Sequence, residues 1–259
     1  MTGGMTGGIT GGLGGTPARK RILLLNANTT PGMTHAMCAR AAALAPPHIA
    51  FEPVTGRFGG AYISSRVTAA IAAHAVLDAY AEHATGCDGV LIGCFGDPGL
   101  LALREIADVP VTGLAEASCI AAAKIGRFGI VTGGVKWEAM LGEFIHSLGL
   151  GDRLARVRAV APTGGEIAQD PDAAHGLLAK ACEACVREDG AHCVILGGAG
   201  LIGIAARIKD RVSVPVFCSV ETGIAAMVAM VEAGATGAPD PVAVPSKGLT
   251  AKLAGLLAG

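Results

Sequence analysis

Short apolar runs, most of them ending in small or polar residues, recur along the chain, at 21–26, 50–54, 88–93, 110–114, 127–132, 156–161, 192–197 and 214–218. In several of them apolar side chains follow one another without alternation, as in Ile22-Leu23-Leu24-Leu25 and Val90-Leu91-Ile92. A strand of that kind is buried on both faces, which calls for a parallel sheet covered by helices. Longer mixed stretches separate the runs, at 66–82, 115–124, 136–147, 171–188 and 221–233, and a further helix is expected to begin near Met33. Strand and helix alternating in this way predict an α/β fold.

The alternation contains a duplication. Cys87-Asp88-Gly89-Val90-Leu91-Ile92-Gly93-Cys94-Phe95-Gly96 overlays Ala191-His192-Cys193-Val194-Ile195-Leu196-Gly197-Gly198-Ala199-Gly200. Pro110-Val111 with Glu116 matches Pro215-Val216 with Glu221, and Arg21 to Asn28 is echoed more faintly by Arg127 to Gly134. The expectation is two pseudo-symmetric lobes, each a parallel sheet flanked by helices, at 18–125 and 126–235. Residues 236–259 would return to pack on the lobes, and 1–17, with its repeated Thr-Gly-Gly, would be a flexible tail.

Loops that follow strand C-termini gather at one edge of such sheets, where ligands bind. Four loops therefore define an expected site in the cleft between the lobes: Asn26 to Thr30, Cys94 to Asp97, Thr132 to Val135 and Gly197 to Gly200.

Composition narrows the function. The chain has 259 residues, enough for two cores of roughly 100 residues each. Its hydrophobic fraction is 51% and its mean hydropathy +0.53. No run approaches the roughly 20 apolar residues of a membrane span, so no membrane is expected. A net charge of −1 and 3% aromatic residues leave little for phosphate neutralisation or base stacking, which excludes nucleic acid as an expected partner. The eight cysteines sit mostly in apolar runs, without a signal-peptide pattern, and read as reduced thiols in a cytoplasmic protein. Cys182 and Cys185 fall inside a helical stretch and read as packing. The seven histidines have no ligand spacing, so no metal is expected.

Cys94 carries the candidate chemistry. Asp97-Pro98 reads as a helix cap followed by proline at the first helical position, which would place Cys94 just before a helix N-terminus and lower its pKa. Gly198 occupies the mirrored position and has no side chain. Asn26, Asn28 and Thr29 could cradle a carboxylate or imide oxygen, as could the backbone at Thr132 and Gly133, while Phe95, Gly96, Gly197 and Ala199 flank the two mirrored positions. None of the four loops holds an arginine, which favours a neutral ring or a monocarboxylate over a dicarboxylate. Phe58, Tyr62 and Phe95 are candidates to border an apolar pocket.

Several strings carry a family resemblance: Asn26-Ala27-Asn28-Thr29-Thr30 with Met33-Thr34, Cys94-Phe95-Gly96-Asp97-Pro98-Gly99-Leu100 with Arg104-Glu105, Glu116-Ala117 after Pro110-Val111, and Leu196-Gly197-Gly198-Ala199-Gly200. On these, over about residues 20–235, the chain resembles the aspartate/glutamate racemase superfamily, in its hydantoin and allantoin racemase branch. The resemblance implies a cofactor-independent isomerase whose two cysteines exchange a proton with opposite faces of one carbon. It places Cys94 in the first position and Gly198 where the second cysteine belongs, and Cys218, at the end of a neighbouring strand, is the substitute available in the sequence.

The expected function is racemisation or epimerisation of a hydantoin-like or amino-acid-derived substrate, with Cys94 as principal acid and base. The alternatives are a single-cysteine decarboxylase resembling arylmalonate decarboxylase and a non-catalytic protein binding a small acid or imide. The expected partners are a small-molecule substrate and further copies of the chain in a homo-oligomer.

Overall fold

Four consecutive side chains, Ile22 to Leu25, are at most 1% exposed, because the strand that carries them, β1 (Lys20–Asn26), lies inside a sheet covered on both faces. Leu23 and Leu25 enter a cluster with Val76 and Tyr80 of α2 (Arg66–His83) and Leu100 and Leu103 of α3 (Leu100–Ile106). Ile22 and Leu24 point the other way, to Met37 of α1 (Pro31–Leu44) and to Leu114 and Cys119 of α4 (Leu114–Ala123). The computed structural model describes residues 19–160 and 170–258; the Thr-Gly-Gly segment at 1–17 and residue 161 of the sixth predicted strand lie outside the described residues.

The first sheet runs β2 (Ile49–Thr55), β1, β3 (Gly89–Ile92), β4 (Val111–Gly113), all parallel, with Leu24 beside Leu91 and Leu91 beside Thr112. The second repeats that order with β6 (Leu154–Ala159), β5 (Phe128–Thr132), β7 (Cys193–Gly197) and β8 (Val216–Cys218), again parallel. Its helices are α5 (Trp137–Ser147), α6 (Pro171–Arg187), α7 (Ile204–Ile208) and α8 (Ser219–Glu232). The duplication read in the sequence is thus a duplication of topology, with β3 matching β7.

The helix that ends each lobe packs on the other lobe's sheet: α4 lies against β7, and α8 against β3, β4 and α4. Glycines permit this approach. A Cβ at Gly223 would come 2.7 Å from Leu114 Cδ2, and one at Gly89 would come 2.7 Å from Met227 Sδ. One core layer therefore runs from Ile22 and Leu24 through to Ile130 and Ile195, holding the two sheets in a fixed relation. The last helix, α9 (Ala251–Leu256), buries Leu253, and Thr250 Oγ1 donates to Asp78 Oδ1 of α2 at 2.9 Å.

Two helix starts beside the candidate site, those of α1 and α3, differ from the sequence reading. α1 begins at Pro31, two residues before Met33, with proline where its missing N–H costs nothing. α3 begins at Leu100, and its cap is Gly99 in the left-handed region, at φ 80°, in place of Asp97. The Asp97 carboxylate is taken elsewhere: Oδ1 accepts from Ala115 N at 2.9 Å and Oδ2 from Glu116 N at 2.7 Å, capping α4 across the sheet.

Candidate active site

The ends of β1, β2, β3, β5 and β7 and the loops after them surround a cleft of about 590 Å³. From the first lobe come Asn28, Met33, Tyr62 to Ser64 and Gly93 to Phe95; from the second come Thr132 to Gly134, Trp137 and Gly197 to Leu201. Cys94 and Gly198 thus line one cavity from matching strands of the two lobes. Among the described residues, none that lines it is charged.

A buried amide network orients the first wall. Asn26 is 2% exposed and lies beneath the surface, where its Nδ2 donates to Asn28 Oδ1 at 2.9 Å, Thr34 Oγ1 at 2.9 Å and the Thr30 carbonyl at 3.2 Å. Asn28 Oδ1 also accepts from Thr30 N at 2.9 Å. Its acceptor is therefore engaged, and Asn28 Nδ2 keeps only the weak acceptor Met33 Sδ, at 3.6 Å. That leaves a donor for a ligand oxygen.

The lobes interlock at the cleft. A Cβ on Gly197 would overlap the Phe95 ring, and one on Gly96 would overlap the Trp137 ring, so an aromatic residue of each lobe seats on a glycine of the other. Trp137 Nε1 donates to the Ile63 carbonyl at 3.0 Å, which ties α5 to the loop after β2. Thr132 Oγ1 donates to the Gly197 carbonyl at 2.8 Å and joins the ends of β5 and β7. Gly198 has φ 132° and ψ 142°, and its N–H donates to Ser219 Oγ at 3.2 Å.

The Cys94 thiol is half-buried, and its pKa moves opposite to the sequence expectation. Burial pushes it up to about 12, and the nearby negative charge of Asp97 adds to the rise. The expected helix N-terminus is not beside it, because α3 starts six residues later and spans only seven residues.

Of the residues singled out from the sequence, Cys94, Gly198, Asn28, Phe95, Thr132, Gly133, Gly197 and Ala199 line the cleft, whereas Asn26, Thr29, Gly96 and Cys218 do not. Thr29 instead gives its N–H to the Gly60 carbonyl at 3.1 Å. Cys218 is 5% exposed at the end of β8, the edge strand one place beyond β7, so the structure does not bring it to the cleft as a second thiol. Phe58 also lies off the cleft, edge-on to His74 with ring centroids 4.9 Å apart, while Tyr62 lines the mouth at 69% exposure. Glu116 is held by Arg104 and Thr112, and Glu221 by Arg40.

Sequence reasoning passed over Ile63, Ser64, Trp137 and Leu201. The loop 56–65 follows a strand C-terminus just as the four selected loops do, so the same rule could have found it. Trp137 is the chain's single tryptophan. Among the described residues no group of three or more His, Cys, Asp or Glu is placed to hold a metal ion. No described helix is long and apolar enough to cross a membrane.

Residues 22–227 match the family described as Asp/Glu/Hydantoin racemase. The chain is 32% identical over 206 residues to a hydantoin racemase of Paenarthrobacter aurescens, covering 78% of this chain and 86% of that one. It is 31% identical over 206 residues to a hydantoin racemase of Pseudomonas sp. (strain NS671), covering 79% and 83%. Among solved structures, the allantoin racemase from Klebsiella pneumoniae superposes with a TM-score of 0.80 at 29% identity, covering 90% of this chain and 98% of that one.

Proposed function

The chain belongs to the Asp/Glu/hydantoin racemase family and is an enzyme of that family, and from that premise we propose that it moves a proton at the acidic carbon of an uncharged, hydantoin-like ring, with Cys94 as its principal acid and base. The observation that carries the reading is a cleft built from the strand ends of both lobes in which, among the described residues, Cys94 is the one thiol and no charged side chain lines the wall.

A dicarboxylate would need cationic partners in such a cavity. A neutral imide needs only donors for its carbonyls, and Asn28 Nδ2 with the backbone of the glycine-rich second-lobe loops supplies the kind required. Met33, Ile63, Phe95, Trp137 and Leu201 provide an apolar surface for the ring substituent. In the forward step the carbon–hydrogen bond breaks, the proton passes to the Cys94 thiolate, and the electron pair spreads onto the adjacent carbonyl oxygen. Return of the proton from Cys94 regenerates the starting form. Inversion needs a proton from the opposite face. A Cβ at Gly198 would meet nothing within 4 Å, so water has room to deliver that proton.

The same glycine favours a second reading, decarboxylation of a substituted malonate. There the carbanion forms by loss of CO2, and one thiol suffices to protonate it.

Racemisation of the separate enantiomers of 5-benzylhydantoin, followed by polarimetry, tests the first reading. Cys94→Ala and Cys94→Ser should lower the rate by about 10²–10⁴-fold, the usual contribution of a positioned acid–base group. A variant that keeps wild-type turnover would remove Cys94 from the chemistry. Wild-type enzyme that leaves hydantoins untouched yet releases CO2 from phenylmalonate would favour the second reading.

A further inference from the structure

We propose that Asp97 is a positioning residue for the Cys94 thiol: its carboxylate, docked on two amides of α4, fixes the turn that presents Cys94 to the cleft. The inference rests on the reading of Cys94 as the acid and base, and it concerns a residue that does not itself line the cavity.

The turn is built around Asp97. Asp97 N donates to the Cys94 carbonyl at 3.1 Å, and the Asp97 carbonyl accepts from Leu100 N at 3.1 Å. Among the described residues Asp97 alone, apart from glycines, has a positive φ, 46°. Positive φ is uncommon outside glycine, and aspartate adopts it where its carboxylate is hydrogen-bonded. Here the side chain imposes it: the carboxylate is buried and accepts from Ala115 N and Glu116 N, so the turn carrying Cys94 is fastened to the start of α4. Gly113 makes the seat, since a Cβ there would overlap the Asp97 carboxylate.

The second lobe serves as an internal control. Leu201 stands at the position matching Asp97 and Cys218 at the position matching Gly113, yet β7, α7, β8 and α8 still form the same strand and helix unit. The carboxylate is thus not a requirement of the unit's fold. It accompanies the lobe that carries the thiol.

The anchor is also electrically active. The groups facing the Asp97 carboxylate are the Cys94 and Cys119 thiols and Glu116, whose own charge is met by Arg104 of α3 at 2.6 Å. Burial pushes the Asp97 carboxyl up to about 7 against the opposing pull of its amide donors. Its charge therefore appears as pH rises through neutrality, and that charge disfavours the Cys94 thiolate.

The test compares wild type with Asp97→Asn and Asp97→Gly. Glycine keeps the left-handed turn and removes both amide bonds; asparagine keeps the shape and one acceptor but no charge. Iodoacetamide labelling of Cys94, resolved by peptide mass mapping between pH 6 and 9, needs no substrate. Asp97→Asn should label severalfold faster than wild type at pH 9, because the carboxylate charge that disfavours the thiolate is gone, with the two curves converging near pH 6. In Asp97→Gly the kcat for deuterium uptake by 5-benzylhydantoin should fall about a hundredfold with KM little changed, the cost of misplacing a reacting group. Labelling curves of both variants that superpose on wild type, or an unchanged kcat in Asp97→Gly, would overturn the assignment. Should Asp97→Gly not fold, the labelling curve of Asp97→Asn decides: superposition on wild type would overturn the assignment. If Cys94→Ala retains turnover while the Asp97 variants still change thiol labelling, the functional reading fails and the coupling of Asp97 to Cys94 stands.

Discussion

Gly198 separates backbone from chemistry, and replacing it with alanine and with cysteine should expose both. Its φ of 132° and ψ of 142° lie where residues with a Cβ are strained, at a cost of about 1–3 kcal/mol. Steric overlap adds nothing, since a Cβ at 198 would meet no atom within 4 Å. At about 2–4 °C per kcal/mol for a chain of this size, each variant should melt roughly 2–12 °C below wild type. The two losses should be similar, because the strain belongs to the backbone conformation that both variants share. Thermal denaturation followed by circular dichroism gives the first half of the answer. The second half is the ratio of inversion to hydrogen exchange for 5-benzylhydantoin in D2O. Gly198→Cys supplies a thiol on the face opposite Cys94 and should raise that ratio, whereas Gly198→Ala should not. An alanine variant that melts with wild type would refute the strained backbone, and one that gains as much inversion as the cysteine variant would refute the role given to the second thiol.

Two further outcomes follow from the cleft. The Cys94 thiol is raised to about 12 by burial and the Asp97 charge, so below that pH the thiolate fraction grows with pH; kcat/KM should climb throughout pH 6 to 9, by less than tenfold per unit across neutrality where the Asp97 charge appears, and a flat profile would mean a preformed thiolate. Trp137→Phe keeps a ring against Gly96 but loses the bond to the Ile63 carbonyl, so it should raise KM severalfold and lower stability by about 1 kcal/mol, measured by steady-state kinetics and urea unfolding.

Much of the fold was legible because the chain states burial plainly. Ile22 to Leu25 cannot alternate between core and solvent, so a two-sided parallel sheet follows from the run itself. The repeat of Cys87 to Gly96 at Ala191 to Gly200 announced the second lobe, and the rule for strand C-termini led to Cys94, Gly198 and Asn28. What local patterns could not show was where a side chain goes when its partner is distant in sequence. Asp97 before proline reads as a cap for the helix that follows, yet its carboxylate reaches α4, 18 and 19 residues on. The thiol pKa failed for the same reason, since burial by both lobes outweighs a helix terminus that does not adjoin the thiol. Cys218 looked available along the chain, but strand order places it at the sheet edge.

Deuterium uptake by the separate enantiomers of 5-benzylhydantoin tests most directly whether Cys94 is the one acid–base side chain of the cleft. The enantiomer whose hydrogen faces Cys94 should exchange with D2O several times faster than it inverts, because the same thiol takes the proton and returns a deuteron. Its mirror image should lose hydrogen only as fast as it inverts. Both behaviours should vanish together in Cys94→Ala. Equal exchange and inversion rates for the two enantiomers would instead require a second acid–base side chain on the Gly198 face, and would contradict the account.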